Sequence, residues 1–335
     1  MSKRLKLPVY SRRRDEELFF EHFGPRCGLD LDLHREDPSP ETAGLAEGCP
    51  AISIITTPID GALLERFYTL GVRFISTRSA GYDHIDRGAA KKLGMRIGNV
   101  SYAPDAVSNY TIMLILMTIR NIKHIARLTQ AQDFSLRRWV QGRNLNNLTV
   151  GIAGTGRIGR QVIKHLGGFG CRILTWDKFA PPGPEEVLCG GRRVRWEELL
   201  AESDIISLHM PASDDNCHII NAAALAKIKE GAVIINTARG SLIDTAALID
   251  GIESGRIGAA ALDVVEDESG LYYKDHRGRV LPHRDIALLR SYPNVIVTPH
   301  TAFYTDQSVS DMVENSLKSC MAFLRGEENS WEVDL

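Results

Sequence analysis

Three side chains with complementary chemistry follow predicted strands in the second half of the sequence, namely Arg239, Glu268 and His300. Arginine binds a carboxylate through two parallel hydrogen bonds and polarises a neighbouring carbonyl group. Histidine titrates near neutral pH and can donate a proton, and an adjacent carboxylate favours its protonated form. Ligands of open α/β sheets bind at the carboxyl ends of the strands, where all three residues are expected. The set suffices for reducing a 2-keto acid, although the spacing alone does not show that the side chains meet.

Each of the three residues also has an ordinary structural interpretation. Arg239 could form a salt bridge, and His300 could be a histidine of a surface loop. Glu268 ends an acidic cluster that also contains Glu266 and Asp267, and such clusters are often solvated. The residue types therefore leave open which carboxylate, if any, is the partner of the histidine.

A glycine-rich turn precedes these residues and has the context that dinucleotide binding requires. Gly154, Gly156 and Gly159 form a GxGxxG motif between a predicted buried strand, residues 148–153, and a predicted helix. The first glycine permits the tight turn, the second lets the backbone approach a pyrophosphate, and the third allows the helix to pack closely on the strand. Amide donors and the positive dipole end of the helix favour phosphate groups. The motif predicts a bound dinucleotide.

The residue that ends the next predicted strand indicates which dinucleotide is bound. Asp177 lies about 20 residues beyond the motif, as expected for this kind of site. Its carboxylate would accept hydrogen bonds from the adenosine ribose and repel a 2′-phosphate, which favours NAD over NADP. Lys178 beside it weakens this preference. The sequence thus predicts NAD as the cofactor.

The elements that must position these residues alternate between strand and helix, which indicates α/β architecture with parallel sheets. Between two series of predicted strands, residues 105–132 form a long helical pattern that is apolar over more than one face. Such a helix is expected to be buried between domains or subunits. Residues 266–292 are polar and irregular, so we expect a functional or mobile loop there, or a surface insertion. The predicted strands are residues 5–10, 52–56, 73–77, 96–100, 148–153, 172–176, 204–209, 232–237, 258–264 and 295–298.

Length and composition exclude several classes of protein. The 335 residues suit two domains, and the hydrophobic content of 44% is that of an ordinary globular protein. A net charge of -2 gives no general attraction to nucleic acid or to anionic lipid. The longest apolar run, residues 112–117, is too short for a membrane span, and we expect no signal peptide. The six cysteines lack a CxxC motif, so we predict free thiols in a reducing cytoplasm and no metal site.

Several motifs occur together in an order that resembles the D-isomer-specific 2-hydroxyacid dehydrogenase family over nearly the whole chain. Residues 75–86 and 98–105 are similar to its D-lactate dehydrogenase branch, which includes the vancomycin-resistance enzymes that make D-lactate for altered cell-wall precursors. The resemblance implies two doubly wound parallel-sheet α/β domains, a Rossmann-type cofactor domain and a smaller flavodoxin-like substrate domain, with the active site in the cleft. The other motifs are residues 150–159, 209–211, 236–240, 261–264 and 299–305.

The resemblance also implies how the chain is divided. The substrate domain would consist of residues 1–101 and 301–335, and the NAD-binding Rossmann domain of residues 102–300. The helical region 105–132 would lie at the crossover and contribute to a homodimer.

The resemblance assigns roles to individual residues. Arg239 matches the substrate-binding arginine, His300 the acid/base and Glu268 its partner, in preference to Glu266 and Asp267. The residues that match cofactor-binding positions are Gly154, Gly156, Arg157, Ile158, Gly159, Asp177, Met210, Pro211, Asn216, Thr237, Ala238, Arg239 and Asp263. Those that match substrate-binding positions are Ala80 and Gly81, through their backbone amides, together with Tyr102, Arg239, Phe303 and Tyr304.

The activity implied is the reduction of pyruvate to D-lactate by hydride transfer from NADH, with His300 as proton donor. Reduction of larger 2-keto acids, such as 2-ketoisocaproate or phenylpyruvate, is an alternative, because the loops that would select the substrate side chain cannot be placed from the sequence. A non-catalytic NAD(H)-sensing protein resembling a corepressor would retain the same motifs. Glu268 argues against a formate dehydrogenase-like enzyme, in which the histidine is paired with glutamine.

Overall fold

A computed structural model of the chain describes residues 5–268 and 270–335, in which the strands form one sheet of five and one of seven. The strands are β1 (Leu5–Val9), β2 (Leu29–Leu33), β3 (Ala51–Ile54), β4 (Phe74–Thr77), β5 (Arg96–Gly98), β6 (Thr149–Ala153), β7 (Arg172–Trp176), β8 (Arg192–Arg193), β9 (Ile205–Leu208), β10 (Ala232–Asn236), β11 (Ile257–Leu262) and β12 (Val295–Val297). The helices are α1 (Glu17–Cys27), α2 (Gly61–Thr69), α3 (Arg87–Leu93), α4 (Asp105–Ile119), α5 (Ile122–Gln130), α6 (Arg157–Gly167), α7 (Pro184–Leu188), α8 (Trp196–Glu202), α9 (Ala222–Lys227), α10 (Thr245–Glu253), α11 (Arg284–Ser291) and α12 (Asp306–Arg325).

The chain divides into two compact units. The first combines Met1–Ala103 with Tyr304–Leu335, and the second consists of Pro104–Phe303. The sequence predicts domain borders after residues 101 and 300, whereas the units meet after residues 103 and 303. The second unit is thus inserted into the first.

The first unit contains the five-stranded sheet, whose order is β2-β1-β3-β4-β5 with all neighbours parallel. One face of this sheet packs against α2, through residues such as Leu64 and Phe67. The other face packs against α1 and α12, through residues such as Phe20 and Leu317. This strand order and the helices on both faces are those of a flavodoxin-like doubly wound fold, as predicted.

The second unit contains the seven-stranded parallel sheet, whose order is β12-β11-β10-β9-β6-β7-β8. Its central strands β6, β9 and β10 are buried along their whole length, as strands covered by helices on both faces must be. The chain builds outward from β6 in one direction and then from β9 in the other. This is the Rossmann arrangement, and the reversal between β6 and β9 marks the crevice where such sheets bind dinucleotides. The predicted fold class is therefore confirmed.

The structure corrects two predicted elements. The helical pattern over residues 105–132 is two helices, because Asn121 adopts a left-handed conformation (φ 52°) and separates α4 from α5. Residues 266–292 are not irregular throughout, since they contain α11, which begins after His283. In addition, β2 and the two-residue β8 are strands that the sequence does not predict.

The helices themselves give one further result. In the described part of the chain, none is both long and apolar enough to cross a lipid bilayer.

Candidate active site

The predicted nucleotide turn connects β6 to α6, and steric contacts explain two of its glycines. Gly154 has φ 98°, and a Cβ atom there would lie 2.5 Å from the carbonyl oxygen of His209. A Cβ atom on Gly159 would lie 2.0 Å from the carbonyl oxygen of Gly154. Both positions exclude any side chain, because an ordinary Cβ contact exceeds 3 Å. These glycines let the turn fold back tightly between the strand and the helix.

Gly156 differs from the other two glycines because no protein atom lies within 4 Å of where its Cβ would be. It precedes Arg157 and Ile158, the first residues of α6, whose amides lie at the positive end of the helix dipole. Open space beside a helix N-terminus fits a pyrophosphate group. The residues of this turn therefore fit the dinucleotide that the sequence predicts.

Asp177 follows β7, and in the structure its carboxylate organises the neighbouring loops. One oxygen accepts hydrogen bonds from the amides of Phe179 and Ala180, both at 2.8 Å. The other accepts one from the amide of Thr155 at 2.7 Å. Burial raises the pKa of Asp177, but these hydrogen bonds outweigh it, so the pKa lies below its ordinary value. Asp177 is thus a fixed negative charge beside the glycine turn, and its contact with the ribose stays a prediction.

The segment after β9 contains the other residues predicted to lie near the adenosine. Met210 packs against the hydrophobic core of the second unit. The side chain of Asn216 donates to the carbonyl of Pro211 at 2.8 Å and accepts from the amide of Ser213 at 2.8 Å. Asn216 therefore closes the loop that begins at Pro211, which gives it a structural role beside its predicted contact with the cofactor.

Next to this segment, His209 forms part of the site although the sequence analysis gave it no role. Its Nε2 atom lies 2.8 Å from Oγ of Ser207, and its carbonyl is the atom that Gly154 must avoid. Burial lowers the pKa of the imidazole to about 3. His209 is therefore neutral under ordinary conditions.

The loop after β10 contains Arg239 and is held by the last residue of the strand. The side-chain oxygen of Asn236 accepts from the amide of Ala238 at 3.0 Å, and its nitrogen donates to the carbonyl of Arg239 at 2.8 Å. The hydroxyl groups of Thr237 and of Thr111 in α4 lie 2.9 Å apart. The Thr111 hydroxyl already donates to a carbonyl of α4, so Thr237 is the donor between the two. Strand, loop and helix therefore fix the backbone of Arg239.

Gly240 brings the arginine loop against the segment that follows β11. A Cβ atom on Gly240 would lie 2.2 Å from the carbonyl carbon of Val265 and 2.4 Å from the amide nitrogen of Glu266. Only glycine permits such an approach of two backbones. The loop of Arg239 and the acidic segment are therefore direct neighbours at one edge of the sheet.

Glu268 and His300 form a hydrogen-bonded pair, with Oε1 of the carboxylate 2.5 Å from Nδ1 of the imidazole. The other carboxylate oxygen accepts a hydrogen bond from the amide of Val265 at 3.0 Å. The two side chains are 25% and 29% exposed, so the pair is shielded but accessible to a small molecule. Because both of its oxygens are engaged, Glu268 is held in place and helps to orient the imidazole ring.

The other two acidic residues of the cluster have different surroundings. Oε1 of Glu266 lies 2.5 Å from Nε2 of His218, and this hydrogen bond raises the pKa of the histidine. Asp267 is exposed and has φ 55°. The turn at Asp267 thus directs the two glutamates to different histidines, and Glu268 is the one that reaches His300.

Asp263 is completely buried, and its carboxylate supports the segment that contains His300. It accepts hydrogen bonds from the hydroxyl of Thr298 at 2.6 Å and from the amides of Thr301 and Ala302 at 2.9 and 2.8 Å. Its carbonyl accepts the amide of His300 at 2.8 Å. The structure therefore shows a supporting role that the sequence analysis missed, and the predicted contact of Asp263 with the nicotinamide carboxamide stays a prediction.

The predicted substrate-binding amides belong to the first unit. The carbonyl of Ala80 accepts from the side chain of Asn99 at 2.8 Å, and that of Gly81 accepts from the hydroxyl of Ser79 at 2.6 Å. These contacts fix the backbone of the loop without using its amides. The loop follows β4, so it lies at the carboxyl edge of its sheet.

The predicted aromatic residues are divided between the units. Phe303, in the second unit, packs edge-on to the His300 ring with centroids 6.3 Å apart. In the first unit, Tyr304 is half exposed with the guanidinium of Arg13 5.8 Å from its ring centre, and Tyr102 is partly buried.

Comparison with known proteins agrees with this geometry. Residues 112–302 match the family described as D-isomer specific 2-hydroxyacid dehydrogenase, NAD binding domain. A D-specific alpha-keto acid dehydrogenase of Enterococcus faecium is 40% identical over 96% of this chain and 98% of its own length. An aromatic 2-oxoacid reductase of Clostridium sporogenes is 38% identical over 95% and 96%, respectively. A solved D-lactate dehydrogenase from Treponema pallidum superposes with a TM-score of 0.87 at 32% identity, over 99% of this chain and 100% of that one.

The chain belongs to the D-isomer-specific 2-hydroxyacid dehydrogenase family. It is accordingly an NAD-dependent oxidoreductase, and the predictions of the family and of NAD as cofactor are confirmed.

Proposed function

We propose that the chain reduces pyruvate to D-lactate with NADH and that His300 donates the proton. The observation that supports this most directly is the Glu268–His300 pair, because the carboxylate engages Nδ1 at 2.5 Å. Nε2 is then the ring nitrogen that donates to the substrate oxygen.

Arg239 is proposed to bind the substrate carboxylate. Its backbone is fixed next to the segment of Glu268, and a guanidinium can hold both carboxylate oxygens at once. We assign the amides of Ala80 and Gly81 to the same carboxylate on the basis of the family resemblance. A substrate gripped in this way presents one face of its carbonyl, which supports a product of single handedness.

The cofactor is proposed to be held by the glycine turn and the residues around it. The start of α6 would bind the pyrophosphate and Asp177 the ribose, with Met210, Pro211 and Asn216 on the adenosine side. Thr237, Ala238 and Asp263 would lie toward the nicotinamide. When bound, NADH supplies the hydride that reduces the keto carbon, and the proton from His300 completes the hydroxyl group.

The test is NADH oxidation with pyruvate, followed by chiral chromatography of the product. We expect turnover with D-lactate as the product, a loss of several orders of magnitude for His300→Gln, and a raised pyruvate KM with some loss of rate for Arg239→Lys. Near-normal turnover of His300→Gln would show that the proton donor is a different group.

Reduction of a larger 2-keto acid is the second candidate, and one observation favours it. The Clostridium sporogenes relative, 38% identical, is named an aromatic 2-oxoacid reductase. Initial rates with pyruvate, 2-ketoisocaproate and phenylpyruvate, each with NADH and with NADPH, separate the candidates. A kcat/KM that is highest for phenylpyruvate would replace pyruvate as the substrate. Negligible turnover with all three would exclude each of them as the substrate.

We also propose that the protein is a cytoplasmic homodimer formed through the region after Pro104. Met113, Ile122 and Ile125 of α4 and α5 are each more than a third exposed. Leu136 is fully exposed and Trp139 about half exposed in the segment that follows. Large apolar side chains clustered on a surface are typical of a subunit interface. Light scattering should give twice the monomer mass, and a monomeric mass would exclude the dimer.

A further inference from the structure

The backbone of His300 is in a conformation that its own side chain disfavours. Its φ of 52° places it in the left-handed region, which is uncommon for residues other than glycine. Such a conformation persists only when surrounding contacts hold it. On one side the amide of His300 donates to the carbonyl of Asp263 at 2.8 Å and also lies 3.0 Å from that of Thr298.

On the other side, a tyrosine holds the carbonyl of His300. The hydroxyl of Tyr273 donates to the carbonyl oxygen of His300 at 2.8 Å. The Tyr273 side chain is about half exposed, and its backbone also has a positive φ, 63°. This hydrogen bond is therefore made by a surface residue whose own backbone is in an uncommon conformation.

Tyr273 and Glu268 belong to one short segment, and this segment holds His300 at two points. Glu268 binds the imidazole through Nδ1, and Tyr273 binds the main-chain carbonyl. The amide of Leu271 donates to the carbonyl of Glu268 at 3.1 Å, and the Leu271 side chain is buried in the core. Leu271 therefore ties Glu268 to the core close to Tyr273, so that ring and carbonyl are held from one anchored segment.

We propose that Tyr273 is a positioning residue for His300, which sets the orientation of the proton-donating ring through its main-chain carbonyl. This inference rests on the proposed role of His300 as proton donor. Without the hydroxyl, the peptide unit that follows His300 keeps the hydrogen bond from the Thr301 amide to Asp263 at 2.9 Å but loses the restraint on its carbonyl end, which can then shift. The ring then samples orientations in which Nε2 is not aligned with the substrate oxygen.

The test is Tyr273→Phe, with the neighbouring Tyr272→Phe as matched control. Within residues 5–268 and 270–335, the Tyr272 hydroxyl is buried without a hydrogen-bond partner, so its removal deletes the same atom but no contact. We expect Tyr273→Phe to lower kcat about 2- to 10-fold, as the loss of one hydrogen bond does, with the KM for NADH and the melting temperature unchanged. Tyr272→Phe should retain the wild-type kcat. Equal losses in the two variants, or none in Tyr273→Phe, would overturn the proposal.

Two further measurements distinguish positioning from a general structural effect. The solvent deuterium isotope effect on kcat should increase in Tyr273→Phe, because a misaligned donor makes proton transfer more rate-limiting. In addition, Tyr273→Phe and Glu268→Gln should be non-additive, since both act through His300. Fold-losses that simply multiply, with an unchanged isotope effect, contradict the proposal.

Measuring His300→Gln in the same assay distinguishes a failure of the positioning role of Tyr273 from a failure of His300 as the proton donor. If His300→Gln is inactive and Tyr273→Phe is normal, only the positioning role fails. If His300→Gln is active, the proposed proton donor itself is wrong.

Discussion

Replacing Glu268 by glutamine tests how the carboxylate contributes to the histidine beside it. Glutamine has nearly the same shape but no charge, and it has one acceptor oxygen where Glu268 uses two. In the structure one oxygen of Glu268 faces Nδ1 of His300 at 2.5 Å and the other faces the amide of Val265 at 3.0 Å. Whichever way the amide group is turned, its NH2 faces one of these two donors.

The magnitude follows from the two kinds of hydrogen bond. A hydrogen bond to a charged group contributes about 1.5–3 kcal/mol and a neutral one about 0.5–1.5 kcal/mol. The difference of about 1–2 kcal/mol corresponds to a loss of about 5- to 30-fold in kcat.

The assay is kcat for 2-keto acid reduction at several pH values, with Glu266→Gln as control. Glu266 belongs to the same acidic cluster but pairs with His218, so its replacement should leave kcat and its pH profile unchanged. A Glu268→Gln enzyme within about twofold of wild type at every pH would refute the reasoning. A loss of equal size in Glu266→Gln would do so as well.

Three other predictions concern the cofactor turn and the stability of the fold. Gly156→Ala should raise the KM for NADH without changing the melting temperature, because its Cβ meets open space in the protein. Gly159→Ala should raise the KM and also lower the melting temperature, because its Cβ would lie 2.0 Å from a carbonyl oxygen. Equal melting temperatures for the two variants would contradict this. Burial lowers the pKa of His209 from 6.5 to about 3, so the unfolded chain binds the extra proton between these values and stability falls as pH decreases below 6.5. When the pH is lowered from about 7 to about 5, the free energy of unfolding measured in urea should fall by up to about 2 kcal/mol less in His209→Gln than in wild type. Parallel plots of unfolding free energy against pH would refute this prediction. Glu16 and Arg78 form a completely buried ion pair at 2.8 Å, so Glu16→Gln should lower the free energy of unfolding by about 3–5 kcal/mol. Glu17 is partly exposed, and Glu17→Gln should lower it by less than about 1 kcal/mol. Similar urea midpoints for the two variants would contradict this.

Much of the fold could be predicted because buried parallel strands have a plain signature. Strands such as β6 and β10 are continuous apolar runs between polar turns, so their existence and order followed from the sequence. The division of residues 105–132 into two helices did not follow from the sequence. Its signal was Asn121, which tolerates the left-handed conformation but does not require it. Local preference of this kind is too weak to locate a break inside an apolar pattern.

The site shows a similar limit. Residue types left open which carboxylate, if any, accompanies His300, because Glu266 and Glu268 are chemically equivalent and each pairs with a histidine in the structure. The left-handed turn at Asp267 decides between them, and only the family resemblance pointed to Glu268. The contact of Tyr273 with the carbonyl of His300 had no signal in the sequence, because every residue has a main-chain carbonyl that could accept such a hydrogen bond. Contacts with the main chain depend on tertiary geometry, which residue identity does not encode.

The insertion of Pro104–Phe303 into the first unit has a consequence for synthesis on the ribosome. Helix α12 supplies Val313 and Leu317 to the core that contains Leu7 and Phe20, and Ser316 bonds to Ser53 at 2.8 Å. The amino-terminal strands therefore emerge long before the helix that covers one face of their sheet. Translation at about 5–20 residues per second delays that helix by roughly 10–40 s. During this interval the face of the first sheet that α12 later covers is shielded by α1 alone, so the first unit completes its core last although its strands are made first.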